Sequence, residues 1–233
     1  MLVNYRYKNI IPLGYYCGIC QELERKGFRK CSLPFDWLIT ENFEKVLLCV
    51  QSSFRDFLNR DNLRQEVEVN PNYYYDVFWE MHFYHDFISN TTLESQYEGV
   101  YNKYERRIKR FQILVQQPSL FLRYLSNPKD VEYVQSHYNE INSYIKSLNA
   151  NSDILYFIDS KHINICRNLC MSGGVIIIEN ENTGSKPRFF DMVPKLSWYL
   201  YRSCRISILT ILKNRLRYAK KRLIKRLKSY TSK

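Results

Sequence analysis

Four short apolar runs constrain this chain more than any other feature. Residues 7–13 carry Ile10 and Ile11 ahead of Pro12, 119–125 read SLFLRYL, 153–159 read DILYFID and 174–179 read GVIIIE. Runs of this length with little polar alternation suit strands buried on both faces. Helical periodicity fills the gaps between them. Phe43, Val46, Leu47, Val50, Phe54 and Leu58 recur at threes and fours over 41–58. Tyr101, Tyr104, Ile108, Phe111 and Val115 do the same over 92–116, ahead of Pro118. Residues 130–148 open on Asp130 as N-cap, with Val134, Tyr138, Ile141 and Ile145 inward. This alternation predicts an α/β fold, a parallel or mixed central sheet with helices on both faces. Shorter expectations are a strand at 66–69, a buried aromatic turn or strand over 73–87, a short helix at 163–170 and a strand at 188–192. The expected organisation is one α/β domain at 1–196 followed by a basic amphipathic helix at 197–233.

Charge separates those two parts. The formal net charge is +12, yet twelve of the 35 basic and none of the 23 acidic side chains fall at 197–233, leaving 23 of each in the rest. A neutral body with a basic end predicts an arm or anchor rather than a nucleic-acid surface. Within that end, Leu209, Leu212, Leu216, Ala219, Leu223 and Leu227 form one helical stripe. Arg215, Arg217, Lys221, Arg222, Lys225 and Lys228 lie on the remaining circumference, and Trp198, Tyr199 and Tyr201 precede it. Apolar stripe plus basic face is the pattern of a helix lying on an anionic membrane surface. No run approaches the ~20 apolar residues of a spanning helix. The seven cysteines are an odd number, and residues 1–8 lack a secretory pattern, so reduced thiols are expected. The expected location is cytoplasmic, peripheral on the inner face of the cell membrane.

Chemistry concentrates after the first apolar run. There Gly14 is followed by Tyr15, Tyr16 and Cys17, and a helical pattern runs to Gly27. A thiol at a helix N-terminus feels unpaired N–H groups and the positive dipole end, which favour thiolate. A nucleophilic cysteine also needs an imidazole and a group to orient it. His85 and His82 in MHFYHDF are the candidates for the first, and Asp36, Asp86 and Asp159 for the second. The same turn also suits anion binding, with Gly14 and Arg123 assisting, as in a membrane-associated transferase of cell-surface polysaccharide synthesis. A non-catalytic membrane adaptor is the third alternative. Neither Cys17–Cys20 nor Cys166–Cys170 has the surroundings of a zinc site, and no nucleotide-binding motif occurs, so no metal or cofactor is expected.

The segment IPLGYYCGICQELERKGFRKCSLPFDWLI, then HDF at His85, KYERRIKRF from Lys103 and SLFLRYL, resembles a bacterial family of domains of unknown function described as papain-like cysteine peptidases. The resemblance covers roughly residues 8–180 and rests chiefly on the L-G-x-x-C turn and the S-x-P-F-D-W block. It implies a Cys17 nucleophile with His85 as base, acting on a peptide or acyl substrate. It does not choose among Asp159, Asp36 and Asp86 as the third group.

Overall fold

The four apolar runs become one sheet. In the computed structural model, which describes residues 6–88, 91–164, 174–178 and 188–231, they are β1 (Asn9–Pro12), β6 (Ser119–Leu125), β7 (Asp153–Asp159) and β8 (Val175–Ile178). These strands pair in the order β1-β6-β7-β8, all parallel. Successive side chains point to opposite faces of a strand, and here each face feeds a separate core. Ile11, Phe121, Leu125, Ile154, Tyr156 and Ile158 pack into the first core. Leu120, Leu122, Tyr124, Leu155, Phe157 and Ile178 pack into the second.

Helices α2 (Phe43–Gln51), α3 (Leu93–Val115), α4 (Pro128–Ser136) and α5 (Tyr138–Leu148) cover the first face. A small antiparallel sheet joins them, with β2 (Leu38–Ile39), β5 (Met81–Phe83), β4 (Tyr74–Asp76) and β3 (Leu63–Gln65) in that spatial order. Helices α1 (Gly18–Lys26), α6 (Phe189–Met192), α7 (Leu196–Ser203) and the start of α8 (Ile208–Thr231) cover the second face. The expected layering therefore holds. Local chemistry sets the helix starts: Asn42, Thr92 and Asn127 each accept a backbone N–H of the first turn.

Several boundaries differ from the sequence expectation. Residues 130–148 are not one helix: α4 and α5 meet at His137, whose φ of −112° and ψ of 19° leave the helical region. Asn127 caps α4, which frees Asp130 for a partner in the core. The helix expected over 41–58 stops at Gln51, because Ser53, Phe54, Asp56 and Leu58 turn to positive φ while Phe54, Phe57 and Leu58 stay buried. The strand expected at 188–192 is the single helical turn α6, and of residues 66–69 the last three form a turn. Beyond Asn164, the helix expected at 163–170 falls outside the described residues.

The basic end is not an arm from 197 onward. Leu196, Leu200, Cys204 and Ile206 are buried in the second core, and Tyr7 bridges to Cys204 in parallel. Helix α7 therefore belongs to the body, and the continuous helix expected over 197–233 breaks at 204–207 before α8 begins. Among the described residues, no helix is long and apolar enough to cross a membrane.

Candidate functional site

Strand β1 delivers the chain to Gly14 at the carboxyl edge of the parallel sheet, where loops can gather chemistry. Gly14 has a φ of 83°, and a Cβ there would sit 2.4 Å from Thr40 Oγ1. Tyr15 follows with a φ of 79°. For a bulky residue that conformation costs on the order of 1–3 kcal/mol and persists only where the surroundings impose it. Thr40 imposes it from two sides. Its Oγ1 accepts the Tyr15 N–H at 2.8 Å, and its own N–H donates to the Tyr15 carbonyl at 2.9 Å. Ser126 Oγ donates to the Tyr15 hydroxyl.

Arg123 locks the assembly from below. Its Nη1 donates to Leu13 O at 3.1 Å and Thr40 Oγ1 at 2.8 Å, and its Nη2 to Thr40 O at 2.7 Å and Asp130 Oδ2 at 2.6 Å. The other Asp130 oxygen accepts the Phe43 N–H at 2.8 Å. Arg123 has no solvent exposure. Burial lowers its pKa, and the Asp130 carboxylate pulls it back up.

The clamped turn presents Cys17 immediately before α1. Its backbone is already helical, with a φ of −62° and ψ of −6°. Its sulfur accepts from Gln21 Nε2 at 3.1 Å, one helical turn on. The thiol is 4% exposed and packs in the second core. The Tyr16 ring folds over the first turn of α1 so closely that a Cβ on Gly18 would meet it at 2.2 Å. Burial raises the Tyr16 hydroxyl pKa, with Tyr124 and Cys17 adding to the effect.

The neighbouring strand ends supply further groups. Tyr124 OH donates to Asp159 Oδ2 at 2.8 Å at the end of β7, and Lys161 Nζ lies 3.8 Å from the same oxygen. Asp159 Oδ1 is buried without a hydrogen-bond partner among the described residues. Just beyond, His162 Nε2 meets Ser126 O at 3.0 Å. Ser126 thus joins the Tyr15 turn to His162, a residue to which the sequence assigned no role.

A model of the family described as "Putative papain-like cysteine peptidase (DUF1796)" matches residues 8–157, more than half of the chain. The chain belongs to that family. A relative, "Uncharacterized protein R408" of Acanthamoeba polyphaga mimivirus, is 31% identical over 119 residues, covering 43% of this chain and 53% of that protein. The chain therefore spans about half the length of the relative it matches. No solved structure matches.

Of the expected papain-like set, Cys17 and Asp159 share the sheet edge and one core face. His85 meets that same core through its ring partner Trp37. It follows β5 of the antiparallel sheet, is exposed, and sets its ring against Trp37 with centroids 6.2 Å apart. His82 bonds Glu66 at 2.9 Å and Tyr84 at 3.2 Å. Neither ring hydrogen-bonds the Cys17 sulfur.

Asp36 is a turn-forming acid. It accepts the Leu33 N–H at 2.9 Å and Arg29 Nη2 at 2.7 Å, and burial raises its pKa against the pull of Arg29. Asp86 is held by Tyr104 at 2.8 Å and Lys103 at 2.7 Å, which ties the HDF segment to the KYERRIKRF helix. Gly14 and Arg123 are engaged inside the turn, and Tyr16 covers the helix end. Of the donors expected to hold an anion there, the Arg123 Nη groups are taken up by Leu13, Thr40 and Asp130, while its Nε is buried without a hydrogen-bond partner among the described residues.

Gln21 was missed as a site residue, although its i+4 spacing from Cys17 signals a shared helix face. Thr40 and Asp130 were missed because they lie far along the chain from the turn they fix. Cys166 and Cys170 lie outside the described residues.

Proposed function

We propose that this chain is a thiol-dependent hydrolase or acyl-transfer enzyme, with Cys17 as nucleophile toward a peptide or acyl carbonyl. The observation that carries the reading is the strained turn. A tyrosine held at a φ of 79° by Thr40, itself fixed by a buried Arg123–Asp130 pair, aims one cysteine at the opening of a helix. Backbone strain of this kind clusters at functional sites. Family membership supports hydrolysis.

In this reading the Cys17 thiolate adds to the substrate carbonyl carbon. The developing oxyanion takes N–H donors from the first turn of α1 and from Gln21 Nε2. The bond to the leaving group breaks as that group takes a proton from an imidazolium, leaving a thioester. Water or an acceptor nucleophile then attacks the thioester and releases the thiolate. His85 is the base in this reading, its ring set against Trp37, which packs against the core that holds Cys17. His162, already on the same edge, is the competing imidazole.

Alkylation rates test the assignment. Burial raises the pKa of Cys20, Cys31, Cys49 and Cys204, the last to about 12, so these thiols are poor nucleophiles near neutral pH. Iodoacetamide is expected to modify Cys17 first, read by peptide mass spectrometry. His85→Ala is expected to slow it by roughly tenfold or more through loss of the base, while His162→Ala leaves it within about twofold. The reverse order moves the base to His162. Modification of Cys17 no faster than Cys20 removes the nucleophile reading.

A further inference from the structure

Helix α8 grips the body with one face, and on the opposite face Leu209, Leu212, Leu216 and Leu223 are exposed among the described residues. The gripping face is clear from its contacts. Ile211 is buried, Asn214 Nδ2 donates to Gly27 O at 3.0 Å and Arg29 O at 3.2 Å, Arg215 Nε donates to Lys26 O at 3.1 Å, and Lys221 Nζ pairs with Glu24 at 2.7 Å. Arg215 and Lys221, expected at a membrane surface, are therefore turned toward α1. The side chains of Lys225 and Lys228 lie outside the described residues.

Residues 211, 214, 218 and 221 share one helical face at 3.6 residues per turn. Residues 209, 212, 216 and 223 fall nearly opposite. On that outer face Leu209 is 78%, Leu212 48%, Leu216 72% and Leu223 59% exposed. Lys213 and Lys220 border the stripe, both exposed. From 208 to 231 there are nine basic and no acidic side chains.

We infer that this outer face of α8 docks on an anionic lipid bilayer, leucines inserted at the headgroup boundary and the flanking cations on lipid phosphates and carboxylates. Three observations select the bilayer. The grip on α1 fixes the leucines outward, so they are not a core waiting to close. A second copy of the chain would set cation against cation along the same stripe. A nucleic acid would match the charge but offers no apolar surface to row upon row of leucine. An anionic bilayer matches both features. The inference is independent of the thiol chemistry, and Cys17→Ala is expected to bind vesicles as the parent does.

The test is co-sedimentation of the full chain with vesicles of phosphatidylcholine containing about one-third phosphatidylserine, against vesicles of phosphatidylcholine alone. Binding is expected only to the anionic vesicles at ~0.1 M salt and is expected to be lost near ~1 M, where the screening length falls from about 10 Å to about 3 Å. Lys213→Gln with Lys220→Gln is expected to weaken binding about 30-fold, from roughly fivefold per basic side chain. Leu212→Glu with Leu216→Glu is expected to weaken it at least about tenfold through lost apolar contact, with an unchanged melting temperature because both side chains are solvent-exposed. Failure to bind anionic vesicles overturns the inference. So does binding indifferent to the leucine pair, which would mean adsorption by charge alone. Dimerisation by light scattering that the leucine pair abolishes would assign the face to a second copy instead.

Discussion

Arg123 shows how one side chain can be read in two ways. A cation inside an otherwise apolar strand run resembles a ligand group, and the sequence supports that reading. Its actual partners are a carbonyl 110 residues away in Leu13, a loop threonine and Asp130, none of which forms a local pattern. Arg123→Met is expected to destabilise the fold by about 3–5 kcal/mol, since it leaves the Asp130 carboxylate buried without its cation. Urea unfolding followed by tryptophan fluorescence checks this, and a loss under about 1 kcal/mol would mean that the turn does not depend on the clamp. Gly14→Ala tests the same turn from above. A methyl at a φ of 83° and 2.4 Å from Thr40 Oγ1 is expected to cost about 2 kcal/mol or more. The turn from Gly14 to Cys17 and the onset of α1 were legible, because glycine, thiol and helical pattern follow one another in sequence. The contact of Ser126 with both Tyr15 and His162 was not, since which loop meets which strand end is decided by the packing of distant segments.

At the scale of elements, apolar periodicity located the long helix α3 and every strand of the parallel sheet. The antiparallel strands were mostly hidden because two or three residues are too few to show alternation. The break between α4 and α5 was hidden for another reason. The apolar positions keep helical spacing across His137, and only its backbone angles leave the helix. Helix α8 was legible as a helix, but its polar contact face was not, because Asn214 binds by its amide to the carbonyls at the end of α1. Asn214→Ala is expected to loosen that junction by about 1–2 kcal/mol, for two lost hydrogen bonds. Amide hydrogen exchange should then quicken in 208–221 while the parallel sheet keeps its protection.

For the molecule as a whole, burial of acidic hydroxyls and thiols sets the alkaline limit. Tyr7, Tyr16, Tyr104, Tyr156, Cys20, Cys49 and Cys204 all have raised pKa values, chiefly from burial. Each stays protonated in the folded chain while the unfolded chain releases its protons, beginning near ~8.5 for cysteine and ~10 for tyrosine. Their contribution is full below those values and is lost as pH rises toward the folded pKa. The urea midpoint is expected to fall steadily above about pH 9, and a midpoint flat to about pH 11 would contradict this account. The layered α/β plan was legible because apolar runs covered on both faces leave few other solutions. The division of the second face among α1, α6, α7 and α8 was not, since it depends on Tyr7 bridging to Cys204 across most of the sequence. The Tyr16 ring is wedged between Gly18, Tyr15 and Tyr124 in the core that also holds Cys17. The methyl of Gly18→Ala has no room beside that ring, so the phenol is expected to shift like a stopper pushed from below. The labelling rate of Cys17 in that variant, compared with the parent, measures how tightly the natural stopper fits.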